Sequence, residues 1–302
     1  MALEMERPAA GAPSLRATGR VARRQALSRA SYWVLFAVAV SGLGVLAFLA
    51  YDTIQLGGAR LVHDWPSFLT NYASRFPERA GVRAAVLGTA WVIGLTVLFT
   101  VPVGVGTAIW LEEFAPRNRL VQVVRLNISN LAGVPSIIYG ILGLALFSRL
   151  LGLGPSILTG ALTLSLMVLP IVVITSSEAI RQVPSSIRDA SFALGATRWQ
   201  TVWHHVLPGA VPGIMTGVIL AVSRAIGEAA ALIMIGAFAF VSFDPVSWRD
   251  RFTVLPIQIY DWTLRPGELF KPEAAAAIIV LMAVVLTLNL TAAYVRQRFR
   301  QD

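Results

Sequence analysis

The sequence predicts an all-α membrane protein with about six transmembrane helices. Of its 302 residues, 56% are hydrophobic and only 14% are charged, and the mean hydropathy is +0.69. Six segments are long enough and apolar enough to cross a hydrocarbon core about 30 Å thick. The polar stretches between them are too short to form a separate soluble domain, so the chain is expected to fold around its membrane spans.

Each span needs about 20 mostly apolar residues, because a helix rises about 1.5 Å per residue. An Arg-rich tail, residues 1–30, is expected to be cytoplasmic and disordered. The first span, 31–54, has no small-residue cleavage site after it and is predicted to be a retained anchor. A transmembrane domain is predicted over 82–296, followed by a cytoplasmic tail at 297–302. The other spans are 86–111, 128–150, 155–176, 209–240 and 274–295.

The distribution of charge predicts the orientation of these spans. With the N-terminus inside, the cytoplasmic segments hold 15 basic and 7 acidic residues, whereas the outer segments hold 9 basic and 8 acidic residues. Short cytoplasmic loops accumulate Lys and Arg, so both termini are predicted to be cytoplasmic. The net charge of +9 then reflects orientation and contact with the lipid bilayer, and no nucleic-acid partner is expected. The outer loops 57–85 and 241–273 are expected to lie along the membrane interface.

Several kinds of chemistry are absent from the sequence. Lys271 is the single lysine and Pro272 follows it, which excludes the lysine-containing phosphate loop of nucleotide hydrolases. The chain has no cysteine, and His63, His204 and His205 lack metal-ligand spacing, so no metal site is expected. No nucleophile with a base and an orienting group can be assembled, which predicts that the chain is not an enzyme.

The loop 177–208 contains an amphipathic pattern that predicts a helix outside the membrane. The pattern starts at the serine pair 185–186, is broken near Gly195 and is expected to end at Pro208. Trp199 and Trp203 are four residues apart and are predicted to form one apolar knob. Such a helix suits either docking into a groove of a partner protein or lying on the bilayer surface.

The same loop resembles the EAA loop of ABC-transporter permeases. That resemblance implies a coupling helix which docks on a separate ATPase subunit, and Trp199 of the apolar knob is predicted to be part of the docking surface. Two positions depart from the family pattern, with Asp in place of Glu and Ser in place of Ala. The matching residues are Asp189, Ala190, Ser191, Gly195, Leu207 and Pro208.

Three further stretches are similar to PstA-type permeases of phosphate-specific ABC importers: "NLAGVPSIIYGILGL" (130–144), "SRAIGEAAALIMIGA" (223–237) and "LPIQIYDWTLRP" (255–266). The resemblance implies a type I ABC importer permease fold with a cytoplasmic coupling helix, in a bacterial inner membrane. It further implies a second permease subunit (PstC-like), a pair of ATPase subunits (PstB-like) and an external phosphate-binding protein (PstS-like). This chain would bind no cofactor, since ATP and Mg would belong to the ATPase.

Two charges interrupt the fifth predicted span. Arg224 and Glu228 are four residues apart, so on a continuous helix they would share a face and form an ion pair. Small residues recur at positions 213, 217, 221, 225 and 229, which allows another helix to approach closely. One possibility is that the pair holds this span in position against neighbouring helices. The other is that it forms a transient binding site for a divalent oxyanion, whose oxygens a guanidinium binds in bidentate fashion.

A second polar element lies in the third predicted span. Gly133 and Pro135 interrupt it, and a half-helix starting at Pro135 would direct free N–H groups and the Ser136 hydroxyl toward an anion. Asn130 precedes the interruption and extends the polar stretch. The alternative is an ordinary proline kink packed against neighbouring helices.

The favoured function is a permease subunit of an ATP-driven phosphate importer, in which motion of the coupling helix passes through Pro208 into the fifth span. The alternatives are an importer of sulfate, molybdate or phosphonate, a proton-coupled secondary transporter using Arg224 and Glu228, and a sensory or scaffolding membrane protein. Glu112 and Glu113, at the inner end of the second span, are expected to face solvent.

Overall fold

The computed structural model describes residues 19–266 and 268–298, and within these ranges the chain forms eleven α-helices and no strand. Three π-helical segments, Trp110–Phe114, Leu144–Leu150 and Val202–Val206, extend or join these helices. The helices are α1 Arg20–Thr70, α2 Arg83–Ile109, α3 Arg119–Ala132, α4 Ser136–Gly143, α5 Ile157–Gln182, α6 Ser185–Ala193, α7 Arg198–Thr201, α8 Leu207–Ile226, α9 Ala230–Ile235, α10 Leu255–Leu264 and α11 Lys271–Arg298.

The prediction of an all-α membrane protein with about six spans is confirmed. Among the residues that the structure describes, five helical segments are long and apolar enough to cross a membrane: Arg23–Thr70, Arg83–Phe114, Ile157–Gln182, Arg198–Ile226 and Lys271–Gln297. A sixth candidate is a bent pair, Arg119–Ala132 with Ser136–Leu150, whose two parts meet at 102°. The third span, predicted over 128–150 with an interruption at Gly133 and Pro135, has that interruption but begins earlier, at Arg119.

The structure divides into two units, one ending at Asp52 and one beginning at Thr53. The first unit contains the start of α1, which is helical from Arg20, so the expectation of disorder does not hold for residues 20–30. The rest of that tail, residues 1–18, and residues 299–302 of the C-terminal tail lie outside the described residues. Tyr32, Trp33 and Phe36 form an exposed aromatic cluster in this unit, as is typical of a membrane interface.

The second unit begins with the end of α1, where the sequence predicted a loop from residue 57. Helix α1 instead continues to Thr70, with one kink at Asp64, whose φ and ψ are −150° and 45°. The Asp64 carboxylate accepts hydrogen bonds from Arg60, at 3.1 Å, and from the Ser67 hydroxyl. Pro66 lies in the first turn after the kink, where its missing N–H has no helical partner to lose. The helix therefore restarts after the kink.

Helices α2, α5 and α8 form the centre of the second unit. Their apolar side chains meet in one core cluster, which contains Val92 of α2, Leu164 of α5 and Ala221 of α8. The small-residue stripe predicted in the fifth span packs on α5, because Gly213 lies against Ala179 and residue 217 lies against residue 175. The predicted close helix approach is confirmed.

Part of the outer segment 241–273, which was predicted as a loop along the interface, is a packed helix. Its residues Leu255–Leu264 form α10, which packs against α11 and α2. Trp262 and Gln258 are each 1% exposed, and Trp262 packs between Phe68 and Phe270. Of the aromatic residues that suggested an interface, Phe68 and Phe252 are buried, whereas Trp65, Phe243 and Trp248 are exposed, so an interfacial position stays a prediction for those three.

Candidate functional site

The fifth span is shorter than predicted and ends between its two charged residues. Helix α8 stops at Ile226, Gly227 follows it, and α9 begins only at Ala230. The Glu228 carboxylate accepts a hydrogen bond from the backbone N–H of Ala231 at 3.1 Å. A carboxylate is favourable at this position, because the first N–H groups of a helix have no helical acceptor. The predicted continuous span 209–240 is wrong, and Glu228 binds the start of α9.

Arg224 lies in the last turn of α8 and is exposed on the surface of this chain. In the part of the chain that the structure describes, no carboxylate lies within salt-bridge distance of its guanidinium. The predicted Arg224–Glu228 ion pair is therefore wrong, since the helix that would align the two residues ends between them. Ala225, the residue after Arg224, shares a core cluster with Tyr139. The donors of Arg224 remain available to a ligand.

Tyr139 belongs to the second interrupted span. Helix α3 ends at Ala132, and α4 begins at Ser136, with Pro135 as the residue before its first turn. Proline disfavours helical geometry in the residue before it, which explains a break at this point. The Tyr139 hydroxyl donates to the Leu131 carbonyl oxygen at 2.8 Å and thereby holds the bend closed. The interruption predicted around Gly133 is confirmed.

The two interrupted spans contact each other. Helix α4 packs against α9, and a Cβ added at Gly140 would lie 2.7 Å from the Ala231 carbonyl oxygen, so only glycine fits there. Val134, in the bend, packs on the core cluster that contains Leu232 of α9. The structure therefore brings Arg224 to the bend region through Tyr139. Around it, Asn130, Gly133 and Pro135 are exposed and Ser136 and Glu228 are half-buried.

The loop 177–208 has the predicted break and a helix on each side of it. Helix α6 ends at Ala193, and Gly195 adopts a left-handed conformation with φ +81°. Thr197 then caps α7 with its side-chain oxygen. Ser191 is buried and hydrogen-bonds the Thr201 hydroxyl at 2.9 Å, so it holds α6 against α7 inside the loop.

The surface of this loop carries apolar side chains, as predicted. The rings of Trp199 and Trp203 meet edge to face with centroids 5.5 Å apart, which confirms the knob. Trp199 is 59% exposed and Leu194 is 89% exposed. Asp189 and Ala190 are exposed, whereas Leu207 is half-buried.

The helix does not end at Pro208 as predicted. A continuous helical segment runs from Arg198 to Ile226. The π-helical turn Val202–Val206 precedes the proline, and the Leu207 N–H bonds the Val202 carbonyl oxygen five residues back. Proline clashes with the carbonyl four residues before it in a regular helix, and a π turn is a common site of such accommodation. The loop and the fifth span therefore form one helical segment.

Comparison with known proteins identifies the family. Residues 100–301 match the model of the binding-protein-dependent transport system inner membrane component. The chain belongs to this family. It is therefore a multi-pass inner-membrane permease subunit of an ABC importer and not an enzyme. Such importers combine permease subunits with a separate ATPase and a binding protein.

Relatives and solved structures agree with this assignment. The permease is 36% identical over 223 residues to the phosphate transport system permease protein PstA 1 of Mycobacterium tuberculosis (strain CDC 1551 / Oshkosh), covering 73% of this chain and 72% of the relative. It is 29% identical over 254 residues to PstA of Haemophilus influenzae, covering 83% and 87%. A bacterial alginate ABC transporter shares the fold with a TM-score of 0.63 at 20% identity, covering 88% of this chain and 94% of the other.

The structure of the permease adds polar residues that the sequence analysis missed. The Ser223 hydroxyl, next to Arg224, donates to the side-chain oxygen of Asn289 in α11 at 2.6 Å. This bond orients the last turn of α8 against α11. An amide within an apolar span is itself a signal, because polar groups in a membrane require partners. Asn289 could therefore have been predicted from the sequence as a residue that makes a contact between helices.

Proposed function

We propose that this permease imports inorganic phosphate, using energy from ATP hydrolysed on a separate subunit. Within the described part of the chain, the exposed Arg224 guanidinium has no salt bridge, and it is located in a transmembrane helix beside a bent half-helix. An arginine in contact with lipid would cost several kcal/mol, so its side chain must face protein or a water-filled path. Its planar group matches the oxygens of a divalent phosphate. The similarity to PstA proteins supports phosphate as the oxyanion.

The surroundings of Arg224 are suited to passage of an anion. The side chain is exposed on this chain, so a second permease subunit would supply the opposite wall of the path. The exposed or half-buried residues Asn130, Gly133, Pro135 and Ser136 lie at the bend. Glu228 would fix the start of α9 beside this path through its hydrogen bond from the Ala231 N–H.

Substitution of Arg224 tests this proposal. In vesicles that contain the complete transporter, we expect Arg224→Ala to lower phosphate uptake at least about tenfold, because a charge-assisted contact contributes about 1.5–3 kcal/mol. Arg119→Ala is the matched control, since Arg119 is an exposed arginine at the start of α3 and away from the bend. Normal uptake by an assembled Arg224→Ala complex would remove Arg224 from the pathway.

The proposed partners are a second phosphate permease (PstC-like), an ATPase pair (PstB-like) that carries ATP and Mg, and an external phosphate-binding protein (PstS-like). The ATPase would dock on the loop 177–208, whose exposed residues include Asp189, Ala190, Leu194 and Trp199. Ser191 and Gly195 would fix the shape of that surface, while Leu207 and Pro208 continue it into α8. Both termini would be cytoplasmic, as the charge distribution predicts. Competition of phosphate uptake by sulfate, molybdate or phosphonate would reveal a different oxyanion.

A further inference from the structure

Two adjacent carboxylates lie in the π-helical turn at the cytoplasmic end of α2. The sequence predicted that Glu112 and Glu113 face solvent, but their side chains are only 9% and 10% exposed. That prediction is wrong because each carboxylate is covered by arginines from other helices. A covered carboxylate is stable only when such partners compensate for the lost water.

Glu112 ties α2 to two neighbouring helices. Arg181 of α5 binds it through two hydrogen bonds, Nε to Oε2 at 2.8 Å and Nη2 to Oε1 at 2.9 Å. Arg125 of α3 contacts the same carboxylate and also donates to the Leu111 carbonyl oxygen. Together these contacts fix the end of α2 to α3 and α5.

Glu113 is connected to a different element, the first helix of the loop 177–208. Arg188 of α6 donates to Glu113 Oε1 from Nη2 at 2.7 Å and from Nε at 3.1 Å. The same guanidinium donates to the Val183 carbonyl oxygen at 2.7 Å and the Ile180 carbonyl oxygen at 3.0 Å, at the end of α5. It is 19% exposed. One side chain thus joins α6 to the ends of both α2 and α5.

We propose that the Arg188–Glu113 contact, the α2–α6 joint, carries motion of α6 directly into α2. Covered charge-assisted hydrogen bonds with two donors hold a fixed geometry, unlike an exposed single ion pair. Helix α2 packs along α5 and against α8, which carries Arg224. The joint therefore gives ATP-driven motion a route to the pathway in addition to the covalent route through Pro208. This inference rests on the proposed function, because it assumes that the ATPase docks on the loop 177–208.

The ratio of ATP hydrolysed to phosphate imported, measured in vesicles with the complete transporter, tests the joint. We expect Glu113→Gln to raise this ratio about tenfold, since the ion pair is lost while the ATPase surface stays intact. Glu112→Gln is the matched control, because it removes the neighbouring carboxylate and leaves the joint. It should lower thermal stability with the ratio unchanged. A wild-type ratio in Glu113→Gln, or equal increases in both variants, would overturn the proposal.

A chemical rescue covers the case in which Glu113→Gln assembles poorly. The natural chain has no cysteine, so a Glu113→Cys, Arg188→Cys pair can be bridged selectively within it by a cleavable bifunctional thiol reagent. We expect the bridged complex to regain coupling and to lose it again after reduction with dithiothreitol. A bridged complex that stays uncoupled would contradict a mechanical role for the joint.

A measurement that does not depend on phosphate tests the joint independently of the proposed function. A Ser136→Cys substitution places a thiol at the bend, where an impermeant maleimide reports access. With Glu113 present, the labelling rate should change when ATP is added; with Glu113→Gln, that change should be much smaller while ATP is still hydrolysed, because only the route through Pro208 remains. Identical ATP-dependent changes in both proteins would refute the joint. Failure of the wild-type complex to import phosphate would refute only the proposed function.

Discussion

At the scale of single residues, Arg224 and Glu228 have separate tasks although they are one turn apart in sequence. Arg224 lies in the last turn of α8 without a salt-bridge partner in the described part of the chain, and Glu228 binds the first turn of α9. Only a continuous helix would pair them, and Gly227 interrupts it. The arginine is thus the residue proposed to meet the anion, and the carboxylate fixes the helix that follows.

Two substitutions of Glu228 distinguish the effect of its charge from the effect of its hydrogen bond. Glu228→Gln keeps a side-chain oxygen for the Ala231 N–H, so we expect stability and uptake near those of the wild type. Glu228→Ala removes the acceptor and should cost about 1 kcal/mol of stability, the usual effect of losing a helix cap. Thermal unfolding of the purified complex, with uptake measured in parallel, checks both. Loss of uptake by a stable Glu228→Gln protein would show that the charge itself is required.

At the scale of elements, the hairpin of α6 and α7 depends on one left-handed residue. Gly195 has φ +81°, and a Cβ added there would meet no atom within 4 Å, so a side chain would cause only backbone strain. We expect Gly195→Val to cost at least about 1–2 kcal/mol locally and to weaken ATPase binding, whereas Gly195→Asn, which tolerates this conformation, should bind better. Copurification of the ATPase with each variant measures this effect. Equal binding by both variants would contradict it.

The contact between α4 and α9 is a second element-scale test. Gly140→Ala would place its Cβ 2.7 Å from the Ala231 carbonyl oxygen, which forces the two half-helices apart. Overpacking of this kind typically costs about 1–3 kcal/mol, and the bend beside Arg224 should shift with it. Gly94→Ala in α2 is the control, because its Cβ would meet no atom within 4 Å. Equal melting temperatures for the two variants would contradict a tight α4–α9 contact.

The sequence predicted the elements of this fold better than the contacts between them. Apolar length located the spans, and Gly195 and Pro135 marked real interruptions, because these signals act through the local backbone. The buried state of Glu112 and Glu113 was missed, since it depends on arginines from three other helices. The end of α8 was missed because Gly227 resembles the other small residues of the span. The burial of a side chain depends on residues that are distant in sequence, and a local sequence pattern does not reveal them.

At the scale of the whole molecule, the topology depends on whether the bent pair α3 and α4 crosses the membrane. If it crosses, six spans place both termini and the loop 177–208 on the same side. If it turns back, five spans place that loop on the side opposite the N-terminus, away from a cytoplasmic ATPase. The exposed aromatic cluster around Trp33 and the arginines before it are typical of a cytoplasmic interface. Docking on the loop therefore requires a crossing.

Single cysteines in the naturally cysteine-free chain can determine this topology. We expect Val246→Cys, in an exposed outer segment, to react with an impermeant maleimide added outside right-side-out vesicles, since residue 246 is 81% exposed. Leu194→Cys in the loop and Gln297→Cys near the end of α11 should react only after permeabilisation. If α3 and α4 turned back instead, the loop cysteine would react from outside and Val246→Cys would be protected. That result would place the proposed ATPase surface on the wrong side of the membrane and exclude docking there.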